Sequence, residues 1–258
     1  MLLINIFIFI LGSVVGSFLN VCIYRLPRGE SLVFPSSHCV HCNNSIYWFD
    51  NIPFFSYLVL RGKCRFCARP ISPRYFLVEF IAALLWFSLF MSFGFDPRFF
   101  FMGALCSALI VSTFIDFEFQ IIPDEVTISG IFVALIAAFS YPSILAEPTR
   151  MAALLDSFLG VITGGGSIYL VGVLGKMAFK KDAMGGGDIK LMAMIGAFLG
   201  WKFALLVFFI APFFGAFIGL ILKLRKKIDV IPYGPYISLA TIIVIFWGKK
   251  ILNHLFVY

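Results

Sequence analysis

Phe99-Phe100-Phe101-Met102-Gly103-Ala104-Leu105-Cys106-Ser107-Ala108-Leu109-Ile110-Val111-Ser112-Thr113-Phe114-Ile115-Asp116 runs from the second ring of a Phe-rich segment to an acid without meeting a charge on the way. A helix needs roughly 20 apolar residues to cross about 30 Å of hydrocarbon. This run, extended to residue 118, supplies them. Seven more apolar stretches flank it, and together they give eight candidate spans: 2–24, 76–95, 99–118, 125–145, 155–175, 189–201, 203–222 and 233–250. The sixth is short. The first has no cleavage-site pattern and leads straight into charged residues, so it reads as a retained span and not as a removed signal peptide.

Composition supports the same class. The mean hydropathy is +1.01. Only 13% of residues are charged and 33 are Phe, where a soluble domain carries about 25% charge. The net charge of +7 raises the question of a nucleic-acid partner, but the distribution answers it. Clusters at Arg25, Arg28, Arg61, Lys63, Arg65, Arg69 and Arg74, at Lys176, Lys180, Lys181 and Lys190, and at Lys223, Arg225, Lys226 and Lys227 hold fifteen of the 20 basic residues. With eight spans all three clusters fall on one side, which the positive-inside rule makes cytoplasmic, with both termini outside. The charge therefore reports topology and attraction to anionic membrane lipid, and no nucleic-acid partner is expected.

The one long connection, 25–75, is rich in Pro, Cys and Arg and too small for a confident core of its own. It carries Cys39-Val40-His41-Cys42 and Cys64-Arg65-Phe66-Cys67, two C-x-x-C turns separated by 21 residues. Two such turns complete a tetrahedral zinc site, and four thiolates close it, which marks a structural metal. Disulfides or redox dithiols are the alternatives, and a cytoplasmic position disfavours disulfides. His38 and His41 lie beside the ligands and read as solvated or outer-shell residues. Cys22 and Cys106 read as small core hydrophobes. The sequence thus predicts an all-α polytopic membrane protein of about eight transmembrane helices. A small cytoplasmic zinc-stapled module at 25–75 separates the first helix, 1–24, from a bundle at 76–258. Small-xxx-small pairs at Gly12 and Gly16, Gly196 and Gly200, and Gly215 and Gly219 suit close helix packing in lipid.

A carboxylate beside hydrocarbon is costly unless partnered or functional. Asp116 lies about 26 Å along the third span from Phe99, at 1.5 Å per residue. That places it at the inner boundary of a span running from outside to inside. Asp188 follows Gly185-Gly186-Gly187 and opens the sixth span, which runs the other way. Both acids are therefore expected at one depth, on the cytoplasmic side. Two carboxylates sharing a site do not both ionise readily. One then acts as general base on a water while the other, protonated, polarises a carbonyl: the chemistry of aspartyl peptide hydrolysis. Gly185 and Gly187 would let an extended peptide approach closely. Asp188 also suits a helix N-cap, and spacing alone leaves cap and catalysis open. Asp116 sits near a helix C-terminus, the unfavourable end of the dipole for an anion. Asp124 reads as a cap for the fourth span. Glu79, inside the second span, reads as a structural partner of a cytoplasmic-side Arg or Lys. Three His, no P-loop, no G-x-S-x-G and no H-E-x-x-H leave other hydrolytic chemistries without material.

Gly16-Ser17-Phe18-Leu19-Asn20-Val21, Arg25-Leu26-Pro27, the two C-x-x-C pairs around Asn51-Ile52-Pro53, Arg74-Tyr75 with Val78-Glu79, Ile122-Pro123-Asp124, Gly185-Gly186-Gly187-Asp188-Ile189-Lys190-Leu191 and Pro232-Tyr233-Gly234-Pro235-Tyr236 occur in that order. In this the chain resembles the bacterial type IV prepilin peptidases, or prepilin leader peptidase/N-methyltransferases, with their G-x-G-D motif. The resemblance implies an inner-membrane enzyme that cuts the basic leader from prepilins or type II secretion pseudopilins at the cytoplasmic face. It further implies N-methylation of the new N-terminal residue from S-adenosylmethionine, with the cysteine module linked to that step. By the same resemblance Asp116 and Asp188 are the catalytic pair, and Cys39, Cys42, Cys64 and Cys67 are the zinc ligands. Gly185, Gly187, Lys190, Glu79 and Asp124 are supporting residues, and no residue is assigned to the methyl donor. A proton- or ion-coupled transporter is the alternative from another class; it predicts acids near the midplane and repeated halves. The sequence leaves the oligomeric state, the pilin substrates and their pathway open.

Overall fold

The computed structural model describes residues 2–180, 184–225 and 232–256, apart from the side chains of 179, 218–225 and 256. Lys181, Lys226 and Lys227 lie outside the described residues, as do the side chains of Lys223 and Arg225. The chain forms helices α1 (Leu2–Arg25), α2 (Phe55–Val59), α3 (Pro73–Phe93), α4 (Pro97–Phe119), α5 (Asp124–Ser140), α6 (Arg150–Phe179), α7 (Gly186–Leu199), α8 (Trp201–Arg225) and α9 (Gly234–Phe256). No strand occurs among the described residues; two isolated β-bridges do, His38 to Ser45 and Lys63 to Pro70. Two compact units result, Met1–Phe99 and Phe100–Tyr258.

Helix ends follow local chemistry. Ser72 caps α3 by accepting the Arg74 N–H, Pro73 occupies the first turn, and Gly94 leaves the helix at φ 61°. Thr149 caps α6 by accepting the Ala152 N–H at 3.2 Å. Gly200, at φ 79°, separates α7 from α8.

Each of the eight expected spans is a helix, but the eight-span count is not established. Among the described residues, five helices are long and apolar enough to cross a membrane: those at Leu2–Arg28, Pro73–Phe93, Pro97–Phe119, Arg150–Ala178 and Gly234–Leu255. The apolar part of α8 described in full, Trp201–Phe217, is shorter. At 17 and 14 residues, α5 and α7 extend only about 26 and 21 Å. The shortness of α7 has a structural setting. Every residue from Leu191 to Gly200 is buried, so this helix is the core of the second unit. By contrast Phe158, Ile162, Tyr169, Leu170 and Leu174 of α6 are exposed, as a lipid-facing surface requires.

In the first unit α1 packs on α3 through glycines. A Cβ at Gly12 would stand 2.8 Å from Ala83 Cα, and one at Gly16 2.6 Å from Glu79 Cα. In the second, α6 meets α7 backbone to backbone. A Cβ at Gly160 would overlap the Gly196 carbonyl, and one at Gly196 would overlap that of Gly160. The Ser157 hydroxyl, fully buried, donates across this contact to the Ala197 carbonyl at 2.7 Å. The small-residue reading of Gly12, Gly16 and Gly196 fits these contacts. Gly200 differs: its missing Cβ makes room for the Asp156 carboxylate, which accepts the Trp201 N–H at 3.4 Å.

Candidate functional site

Asp116 lies one turn from the end of α4, 6% exposed. The helix closes as Gln120, at φ 55°, donates its N–H to the Asp116 carbonyl. The chain then doubles back through Ile121-Ile122-Pro123 into α5. Ile122 is buried, with its Cβ set where Gly187 would carry a side chain and its Cδ1 beside Gly234. One isoleucine thus gathers the end of α4, the start of α7 and the start of α9. Gly234 completes the cluster. Its N–H donates to Asp116 Oδ2 at 2.9 Å, and a Cβ on it would meet that same oxygen at 2.8 Å. Only glycine leaves this acid its backbone donor.

Asp188 occupies the third position of α7, and its Oδ2 accepts the Gly185 N–H at 3.3 Å. It is a capping-box acid and not the N-cap residue, a position that Gly185 holds. Ile122 touches the positions of both Gly187 and Gly234, and Gly234 touches Asp116. The two aspartates therefore share one end of the second unit, with the Tyr233-Gly234 turn beside them. In the sequence Tyr233 and Gly234 belong only to the last of the matching segments. The signal available there was a glycine opening an apolar helix next to tyrosine.

The supporting residues fall elsewhere. Lys190 Nζ bonds both Asp124 oxygens, at 2.7 and 2.8 Å, tying α7 to α5. Asp124 is not a cap: Pro123 holds that position without a side-chain bond. Gly185 and Gly187 shape the entry to α7, the latter leaving room for Ile122. Glu79 belongs to the first unit and accepts the Phe54 N–H at 3.0 Å. This backbone donor, and no lysine or arginine among the described residues, is its hydrogen-bond partner.

The four cysteines converge. Their sulfurs lie within 4.8 Å of one another, with Cys39 to Cys67 at 3.9 Å and Cys42 to Cys64 at 4.0 Å. A zinc about 2.3 Å from each sulfur sets tetrahedral edges of about 3.8 Å, whereas a disulfide needs about 2.05 Å. All four are free thiols, so the donor set fits a tetrahedral metal. The two turns are copies. Cys39 N–H bonds Asn44 O and Asn43 N–H bonds Cys39 O; Cys64 N–H bonds Arg69 O and Ala68 N–H bonds Cys64 O. Asn43 and Ala68 both adopt φ 56°. N–H groups of Cys67 and Phe66 hold the Cys64 thiol down to about 7, while burial and the neighbouring sulfurs push Cys42 up to about 11; a metal would bind all four as thiolates. His38 bonds the Ser36 carbonyl and is no part of the sulfur cluster. Arg25, buried, anchors the loop before the first turn by donating to the Ser31 and Pro35 carbonyls at 2.8 and 2.6 Å. Cys22 and Cys106 are buried among apolar residues.

Comparison with known proteins gives the family. A model of the bacterial peptidase A24 N-terminal domain matches residues 10–93. A model of the type IV leader peptidase family matches 103–220. A prepilin leader peptidase/N-methyltransferase of Myxococcus xanthus is 38% identical over 85% of this chain and 63% of its own length. Proteins of the same name from Stutzerimonas stutzeri and Pseudomonas aeruginosa are 33% and 35% identical, over 94% of this chain and 90% of theirs. No solved structure matches the chain. With that identity sustained across nine-tenths of two relatives, the chain belongs to the type IV leader peptidase family.

Proposed function

We propose that this chain is a membrane-embedded aspartyl endopeptidase that removes the leader of type IV prepilins or type II secretion pseudopilins and then N-methylates the exposed N-terminal residue. The observation that carries the peptidase half is that Ile122 and the Gly234 N–H hold Asp116 at the end of the second unit where α7 opens with Asp188. In this mechanism a water sits between the carboxyl groups. The ionised one takes its proton as it attacks, and the protonated one polarises the scissile carbonyl. The Gly234 N–H fixes Asp116, the Gly185 N–H fixes Asp188, and the glycines of 185–187 admit an extended peptide. The names of the relatives speak for this reading and give a transporter no support.

Finer assignments follow the same proposal. Residues 76–258 act as the peptidase bundle, and the module at 25–75 holds structural zinc through Cys39, Cys42, Cys64 and Cys67 and serves methylation. Eight membrane crossings place module and acids on the cytoplasmic face of the inner membrane. Cleavage of a pilin-like substrate in membranes tests the centre. Asp116→Asn and Asp188→Asn each reduce it at least a hundredfold at unchanged protein level; retained cleavage in both refutes the pair.

A further inference from the structure

The first unit contains a cavity of about 500 Å³, within the size range of small-ligand sites. Its walls come from α1, α3 and the cysteine module, and Tyr24, Tyr57, Tyr75 and Phe76 supply aromatic faces. Arg25, Arg65 and Arg69 also line it, Arg25 bonded to the Ser31 and Pro35 carbonyls and Arg65 to Asp50, yet among the described residues two acceptors on the helical wall bond no cation. Glu79, 9% exposed, accepts the Phe54 N–H at 3.0 Å. Asn20 is 2% exposed. Its Nδ2 donates to the Tyr75 carbonyl at 3.0 Å, while its Oδ1 has no donor. A buried acceptor without a partner costs about 1–3 kcal/mol, so this wall is built for a donor or cation that the chain itself lacks. Asp50, also on the cavity, is already neutralised by Arg65 at 2.5 Å.

Carboxylate, orphaned amide oxygen and aromatic faces, with the Arg69 side chain on the same cavity, together suit a zwitterionic ligand that carries a cationic centre and a flat or apolar body. We infer that this cavity is the methyl-donor site, with Glu79 and Asn20 as its acceptors. The inference rests on the methyltransferase half of the proposed function. When bound, S-adenosylmethionine supplies an electrophilic methyl group on a sulfonium, and its carbon–sulfur pair returns to sulfur as the substrate amine nitrogen takes the carbon. The proton lost by the substrate ammonium passes through the Glu79 carboxylate to water. Asn20 orients the donor, and the aromatic walls exclude water from the transfer.

The test uses the purified full chain in lipid nanodiscs. Equilibrium dialysis with labelled S-adenosylmethionine compares wild type, Glu79→Gln and Asn20→Leu, with leader cleavage and zinc content followed in the same samples. Glu79→Gln lowers donor affinity at least tenfold and Asn20→Leu at least threefold, at unchanged cleavage and zinc. Independently of any variant, ultraviolet cross-linking of the donor to wild type labels peptides spanning 17–24 or 75–79. Cross-links confined to Phe100–Tyr258, or variants binding within twofold of wild type, overturn the site while methylation stands. Wild type that neither binds donor nor methylates a cut pilin overturns the methyltransferase reading itself.

Discussion

Single residues divide into those that chemistry made visible in the sequence and those that geometry alone exposes. Asp116 and Asp188 stood out because carboxylates beside hydrocarbon are rare. Gly234 did not, because a glycine opening a helix is ordinary until its N–H is seen on Asp116. Ala68 is the clearest residue-scale irregularity. It takes the left-handed conformation that its copy fills with Asn43, at a cost of roughly 1–2 kcal/mol for a residue with a Cβ. Ala68→Gly relieves that strain without touching a ligand. It is expected to stabilise the metal-bound module by about 1 kcal/mol, read as a rise in the chelator concentration that strips half the metal. An unchanged midpoint counts against strain at this turn.

At the scale of elements, hydropathy located all eight long helices but not their roles. The α7 segment, a short span by hydropathy, is also the buried core of the second unit, held by glycine contacts with α6. The Gly160 and Gly164 pair of α6 carries the same small-xxx-small spacing as the other glycine pairs. Lipid and neighbouring helix are equally apolar, so hydropathy does not distinguish a packed face from a lipid-facing one. Because an added side chain at Gly160 or Gly196 meets backbone, no rotamer change relieves it. Gly160→Val is expected to cost more than 3 kcal/mol, lowering thermal stability in detergent and abolishing cleavage. Gly166→Ala, where a Cβ meets nothing within 4 Å, serves as the tolerated control. Equal loss in both variants would contradict the packing argument.

For the whole molecule, the four-cysteine cluster lies in one compact unit and the two aspartates in the other, so the two proposed chemistries are expected to separate. Metal is bound as thiolate, so protons compete for the ligands and acidification releases it. Within the cluster the Cys64 thiol is lowered to about 7 while Cys42 is raised to about 11, so protons compete for the four sulfurs as a set and metal binding weakens progressively as pH falls. Zinc content after dialysis is expected to fall from one per chain at pH 8 towards none at pH 5. Methylation is expected to fall with it while leader cleavage persists at pH 8 in chelator-stripped protein. Cleavage lost together with zinc at pH 8 would show that the two chemistries are not separable.

The sequence by itself determined the helical class, the pairing of two C-x-x-C turns, the two candidate aspartates and the family. Each depends on composition, local spacing or covalent order, and backbone groups in lipid must be satisfied within a helix wherever it packs. Tertiary structure alone decided that Gly234 serves Asp116, that Lys190 pairs with Asp124 rather than with the acid pair, and that Glu79 and Asn20 share a cavity wall. Those contacts join residues 59 to 118 positions apart in the chain, and which helix faces meet is fixed by shape complementarity, which leaves no periodic trace in the sequence.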